Sequence, residues 1–152
     1  RQVCYVPDAG HARLIDLCRK NRAMRCVSLT TEEEGIAQLA GAWLGGEAGV
    51  LLMQSSGVGN CINMLGLVNE GRFPLLILVT MRGDWGEANP WQVPMGQGTQ
   101  AALENAGVIV HRADRPEDVA ETVAAAARLA FTSTRAVAVL IGQRVIGSKV
   151  FK

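Results

Sequence analysis

Short apolar runs alternate with longer amphipathic stretches along this chain. Six runs read as strands, at residues 3–6, 25–29, 50–54, 75–80, 108–111 and 136–141. Several are continuous Val, Ile and Leu, the composition of strands covered on both faces. Between them, apolar residues recur three and four apart and predict helices over 12–20, 32–44, 60–70, 99–105 and 116–131. Leu14, Ile15 and Cys18 share one face of the first helix. Thr30 and Thr31 are residue types that cap the second, which ends at Gly45-Gly46. Gly71 closes the third, and Asp114 with Pro116 opens the last. This alternation predicts an α/β domain of three layers, a six-stranded, mostly parallel sheet with helices on both faces. One long irregular segment, 81–97, is rich in glycine and carries Trp85, Trp91, Pro90 and Pro94; segments of that length in compact domains are usually functional.

Composition narrows the picture. A chain of 152 residues fits one domain, 1–152, that buries a core without a metal or disulfide staple. Hydrophobic residues at 49% and charged residues at 19% exclude a disordered chain. A net charge of +1 offers no basic face for nucleic acid. No apolar run approaches the roughly 18 residues that span a bilayer, so no membrane role is expected. Cys4, Cys18, Cys26 and Cys61 show no CxxC spacing, and there are only two histidines. No metal site in this chain, reduced thiols and a cytoplasmic location are therefore expected. The sequence starts on a strand-like run without Met, as expected of a chain shortened at its N-terminus.

Parallel sheets bind ligands beyond the carboxyl ends of their strands. That rule gathers Pro7, Asp8, Ala9, Gly10 and His11 after the first strand, Thr30 to Glu34 after the second, Gln54 to Asn60 after the third and the 81–97 segment after the fourth. Acidic residues in the first turn of a helix ordinarily complement its dipole. Glu32, nearest the strand end, is the one placed to reach across the crevice. Gln54 to Asn60 reads as a glycine-rich strand-to-helix turn, either a phosphate cradle, a tight packing turn or a backbone surface for an aromatic ring; the GxGxxG and GxxxxGK[ST] patterns are absent. Asp8 and His11 form a candidate acid–base pair, set against the commoner role of Asp8 as a helix cap. Arg82 is a candidate for pairing an anionic substrate, and Trp85 and Trp91 for a lid or a subunit contact.

These residues carry a family resemblance. Val6-Pro7-Asp8, Glu32 followed by Gly35-Ile36-Ala37 and Ala40-Gly41-Ala42, Met53 to Asn60, Arg82-Gly83, Asn89-Pro90, Gln92-Val93-Pro94-Met95-Gly96 and Gln143 to Gly147 together resemble the pyrimidine-binding domain of thiamine diphosphate enzymes that decarboxylate 2-oxo acids. The likeness spans nearly the whole chain. A glutamate nine residues before a helix glycine marks the wider superfamily. The MQxSGxGN and QVPMG segments are more specific, and point to the branch acting on sulfopyruvate and phosphonopyruvate. The resemblance implies the thiamine diphosphate-binding fold, with Glu32 as the catalytic carboxyl group that bonds N1′ of the aminopyrimidine and favours its imino tautomer. It implies Val58 as a wedge beneath the cofactor, with Gly57, Ser55, Pro7 and Asp8 also cofactor-binding. It places Gln54, Ala9, Gly10, His11 and Arg82 on the substrate side. Diphosphate and Mg²⁺ are held in that family by a second domain with a GDG motif, which Gly83-Asp84-Trp85 does not match. The chain thus resembles half of an active site, expected to form homo- or hetero-oligomers with a partner chain or domain that binds diphosphate. Ala9 stands where many relatives have a small hydroxyl residue, and the paired histidines of pyruvate decarboxylases have no counterpart. A non-catalytic assembly domain of the same fold is the alternative.

Overall fold

The computed structural model describes residues 1–148, so the last four residues of the expected 1–152 domain lie outside the described part. Strands β1 (Gln2–Tyr5), β2 (Arg25–Ser28), β3 (Gly49–Gln54), β4 (Leu75–Thr80), β5 (Ile109–Ala113) and β6 (Ala136–Ile141) form one sheet in the order β2-β1-β3-β4-β6-β5. Every pairing is parallel. Central strands β4 and β6 are buried along their whole length, while edge strand β2 is half-exposed. The uninterrupted apolar runs of the sequence thus mark the strands covered on both faces.

Helices α1 (Ala12–Lys20), α2 (Glu32–Leu44), α3 (Ser55–Cys61), α4 (Leu65–Gly71), α5 (Val93–Asn105), α6 (Pro116–Ser133) and α7 (Gln143–Ile146) complete the three layers. Ile36, Leu39, Leu65 and Leu103 of α2, α4 and α5 pack with Leu51, Ile77 and Leu140 on one face of the sheet. Ile15 and Cys18 of α1 and Ala126 and Ala130 of α6 pack with Leu52, Leu78 and Val139 on the other. Among the described residues, no helix is long and apolar enough to cross a membrane.

Two segments depart from the sequence expectation. The single helix expected over 60–70 is two, and the first begins at Ser55, so the presumed glycine-rich turn is already helical. Helix α5 begins six residues earlier than expected, after a short 3-10 turn over Pro90–Gln92. Pro94 lies in its first turn, where a proline loses no hydrogen bond. Gly96 is required inside this helix because a Cβ there would strike the Arg82 carbonyl.

Candidate functional site

With all strands parallel, their carboxyl ends share one edge. From β1 the chain moves outward to β2, and from β3 it moves the opposite way to β4. The crevice between the ends of β1 and β3 is therefore the topological switch point, where open sheets of this type take ligands. Asp8 and Gln54 meet there. Gln54 donates from Nε2 to Asp8 Oδ1 at 3.1 Å, and Thr80, at the end of β4, donates from Oγ1 to Asp8 Oδ2 at 2.5 Å. Ser56 in turn donates to Gln54 Oε1 at 2.8 Å. Gly10 is needed for this approach, since a Cβ would lie 2.8 Å from Thr80 Cγ2 and 3.0 Å from Asp8 Oδ2. Both carboxylate oxygens of Asp8 are thus engaged across the crevice, and Asp8 does not cap α1, whose N-cap His11 makes no side-chain cap bond.

Glu32 is separated from its neighbours by its surroundings. It is buried at 8% exposure, whereas Glu33 and Glu34 are exposed. Glu34 accepts the Thr30 backbone N–H at 2.9 Å and does the capping work, while the Thr31 side chain makes no cap bond. Glu32 Oε2 accepts Asn60 Nδ2 at 2.9 Å. Its Oε1 accepts no hydrogen bond among the described residues and rests on Gly57, where any Cβ would collide with the carboxyl group. A carboxylate held by one oxygen, on a surface only glycine can provide, fits a heteroaromatic nitrogen brought to the other oxygen.

Other expected site residues are placed differently. Val58 is fully buried in the core beneath α3, so its side chain cannot wedge under a cofactor at the surface. Ser55 is also fully buried; its Oγ accepts the Arg82 N–H at 3.0 Å and donates to the Arg82 carbonyl at 3.2 Å, tying the start of α3 to the end of β4. His11 is turned inward at 2% exposure, with Nε2 3.1 Å from the Leu78 carbonyl, and burial pulls its pKa below the ordinary histidine value. It faces the sheet and makes no hydrogen bond to Asp8 among the described residues, although the Asp8 charge opposes the effect of burial on it. Pro7, Ala9 and Gly10 are exposed at the crevice mouth, and Gln54 is half-buried there.

Arg82 is already paired. Its Nε and Nη2 donate to Glu87 at 2.6 and 2.5 Å, with the two side chains only 11% and 3% exposed. Glu87 also accepts the backbone N–H groups of Gly83 and Asn89 and Nε2 of Gln143, at 3.1, 2.9 and 3.0 Å. The Arg82 hydrogen bonds, with these donors behind them, hold the Glu87 carboxyl far below the usual carboxylate range, and Glu87 raises the Arg82 pKa. Arg82 is thus a clasp for the loop through Nε and Nη2, while its Nη1 makes no hydrogen bond among the described residues and Asp8 is a second carboxylate near the guanidinium. Trp85 is tied to the same structure: its N–H and that of Asp84 donate to Gln143 Oε1 at 2.9 and 3.0 Å, and the Arg144 guanidinium lies 3.8 Å from its ring centroid. Trp91 stands out from the surface at 87% exposure. Neither indole covers the crevice as a lid.

Two hollows flank this edge. A groove of about 790 Å³ between α1 and β2 reaches Pro7, Asp8 and Ala9, but not Glu32. A smaller one of about 200 Å³ is lined by Asp8, Ala9, Gly10, Arg82 and residues 146–148, directly over the switch point. Thr80 and Glu87 carry no functional signal in the sequence, and Asn60 and Gln143 stand there only inside longer motifs, without a role of their own. Only the Arg82 and Glu87 charges within one loop hinted at such a pairing.

No family model matches the chain. The chain is 35% identical over 140 residues, 91% of its own length and 84% of the relative's, to sulfopyruvate decarboxylase subunit alpha of Methanococcus maripaludis. It is 38% identical over 99 residues, 64% of its length and 25% of the relative's, to phosphonopyruvate decarboxylase of Streptomyces hygroscopicus. Among solved structures, 2-oxoglutarate:ferredoxin oxidoreductase from Magnetococcus marinus shares the fold, with a TM-score of 0.74 over 95% of this chain and 26% of that chain at 18% identity.

Proposed function

This chain belongs to the family of sulfopyruvate decarboxylase alpha subunits, and from that premise we propose that it supplies the aminopyrimidine-activating half of a thiamine diphosphate site. The reaction is the non-oxidative decarboxylation of 3-sulfopyruvate or 3-phosphonopyruvate to the corresponding acetaldehyde and CO₂. The observation that carries the reading is the Glu32 carboxylate, bonded to Asn60 through one oxygen and seated on Gly57 with the other unbonded.

When bound, thiamine diphosphate supplies an electron sink for the carbon that loses CO₂. Glu32 would hold a proton at N1′ of the aminopyrimidine through Oε1. Asn60 fixes the carboxyl plane, so the proton is delivered along one direction. Gly57 keeps the approach open for a flat ring. Asp8 orients Gln54, and the Gln54 amide with the exposed backbone of Ala9 and Gly10 lines the substrate side of the crevice. Diphosphate and Mg²⁺ belong to a partner subunit or domain carrying the GDG motif. The phosphonopyruvate decarboxylase relative supports that division, because the matched stretch is only 25% of its length.

The test is reconstitution. The chain is mixed with the GDG-bearing subunit from the same genome, thiamine diphosphate and Mg²⁺, and CO₂ release is followed from each acid. Release is expected only with both chains present. Turnover by this chain alone, or an assembled complex inert toward both acids, would refute the reading.

A further inference from the structure

We propose that Thr80 is a positioning residue that masks the Asp8 charge and so lets the anionic tail of a substrate enter the hollow over the switch point; this rests on the decarboxylase reading above. That reading poses an electrostatic problem. Asp8 lines the hollow of about 200 Å³ together with Ala9, Gly10 and Arg82. A free carboxylate on its wall would repel the sulfonate or phosphonate of the acid, because like charges a few ångströms apart in a partly wet site interact strongly. The fold must therefore hold the Asp8 oxygens away without filling the hollow.

Each carboxylate oxygen holds a donor from a different strand end. Oδ1 accepts Gln54 Nε2 at 3.1 Å from the end of β3, and Oδ2 accepts Thr80 Oγ1 at 2.5 Å from the end of β4. The two donors differ in what fixes them. Gln54 is half-buried on a long side chain, and its Oε1 accepts only the exposed Ser56 hydroxyl. Thr80 is 1% exposed and ends a strand buried along its whole length. A β-branched side chain is stiff at χ1, and the one Thr80 proton has a single competing acceptor, the Met53 carbonyl at 3.4 Å. The bond to Asp8 is as short as a hydroxyl bond to a charged oxygen. A Cβ at residue 10 would lie 2.8 Å from the Thr80 methyl carbon, so Gly10 lets the methyl and the hydroxyl of one side chain seat the turn that presents Asp8. Thr80 thus sets the plane of the carboxylate, and Gln54 follows it. With one Nε2 proton on Asp8 and Oε1 on Ser56, the Gln54 amide keeps a single N–H, a donor suited to an anion.

Arg82 does not replace this hydroxyl. Its charge acts on Asp8 through space, and its hydrogen bonds go to Glu87. Without the Thr80 hydroxyl, Oδ2 would face a methyl group. An acceptor buried without a donor bears the full cost of its desolvation, so the carboxylate would turn to the solvent of the hollow and take its charge there.

The test uses the complex with the GDG-bearing subunit from the same genome, loaded with thiamine diphosphate and Mg²⁺. Thr80→Val keeps the shape and deletes the hydroxyl. It should raise the Michaelis constant for the acid that turns over about tenfold, while kcat changes less than about threefold. Thr80→Ser keeps the hydroxyl and should stay within about threefold of the natural Michaelis constant. In an Asp8→Asn background, Thr80→Val should move that constant less than about threefold, because no charge is left to release. A purely structural role for Thr80 would act alike in both backgrounds. Thermal melts check that each variant is folded. Sulfoacetate, a dianion without the keto group, gives a readout independent of turnover, and its dissociation constant by calorimetry should follow the same pattern. Equal effects of Thr80→Val in the two backgrounds, an unchanged Michaelis constant, or a loss confined to kcat would overturn the proposal. A complex that releases no CO₂ from either acid refutes the decarboxylase reading alone, and sulfoacetate binding still decides the role of Thr80. Absence of sulfoacetate binding by the natural complex would overturn the proposal as well.

Discussion

Deleting the Glu87 carboxylate should cost this domain more stability than deleting its arginine partner. Removing one member of a buried ion pair typically costs about 3–5 kcal/mol, because the other charge is left without compensation. Glu87→Ala strands Arg82 and also the N–H groups of Gly83 and Asn89 and the Gln143 amide. Its cost should lie near the upper end, at about 4–5 kcal/mol. Arg82→Ala leaves Glu87 accepting three N–H bonds, so about 2–3 kcal/mol is expected. For a domain of this size each kcal/mol moves the melting temperature by roughly 2–4 °C, so Glu87→Ala should melt about 8–20 °C lower. Urea unfolding of both single variants and the double variant at pH 7 reads the two costs and their coupling, expected to be about 2 kcal/mol. The pH dependence follows from the sign of the shift. Glu87 in the fold is held far below its ordinary value of 4.5, so the unfolded chain binds more protons in acid. The clasp contributes fully above about pH 4.5 and weakens progressively as pH falls below it. Glu87→Gln should flatten that limb of the stability curve. An Arg82→Ala chain at least as unstable as Glu87→Ala, or a Glu87→Ala loss below about 1 kcal/mol, would refute the reasoning. A raised Michaelis constant in Arg82→Ala at unchanged stability would restore Arg82 as a substrate anchor.

In the reconstituted enzyme, Glu32→Gln should lower turnover about 10²-fold or more, the scale of a positioned acid–base group. Glu33→Gln and Glu34→Gln should stay near the natural rate, and equal losses from Glu32→Gln and Glu33→Gln would remove the assignment. Gly57→Ala adds about 1 kcal/mol of helix propensity while costing roughly 1–3 kcal/mol through its collision with the Glu32 carboxyl group. Its melting temperature should therefore fall by no more than about 8 °C while turnover drops about tenfold or more, and full activity would show that Glu32 needs no such seat. Burial pushes the Cys4 thiol up to about 11 and the Cys61 thiol up to about 12, the latter with help from the Glu32 carboxylate. Alkylation of the folded chain at pH 8, mapped by mass spectrometry, should mark half-buried Cys26 first and leave Cys4 and Cys61 unmodified; rapid labelling of Cys61 would contradict its burial.

What the sequence could reveal depended on how far each interaction reaches along the chain. Helices α1 and α2 have the predicted bounds because their apolar spacing and end signals are local. Strands β4 and β6 are as legible, since burial on both faces writes an unbroken apolar run. The glycines misled for a tertiary reason. Gly57 and Gly96 are small because the Glu32 carboxyl group and the Arg82 carbonyl press against them, yet a local reading takes a glycine-rich stretch as a turn. The edge rule placed Asp8, Glu32 and Gln54 at the crevice with no knowledge of contacts, because parallel topology alone carries strand ends to one side. That rule locates residues without saying what neutralises them. Thr80 reaches Asp8 across 72 positions and Gln143 reaches Glu87 across 56, and no periodicity encodes such pairs. Arg82 shows the consequence. A lone arginine in a loop beside an anion site looks like a ligand for the anion until its own counter-charge is found, and here Glu87, five residues on, consumes that charge through two short hydrogen bonds in a nearly dry setting. Two of the three guanidinium nitrogens are thereby committed, and Nη1 alone is left to meet an anion in the hollow that Arg82 lines with Asp8, Ala9 and Gly10.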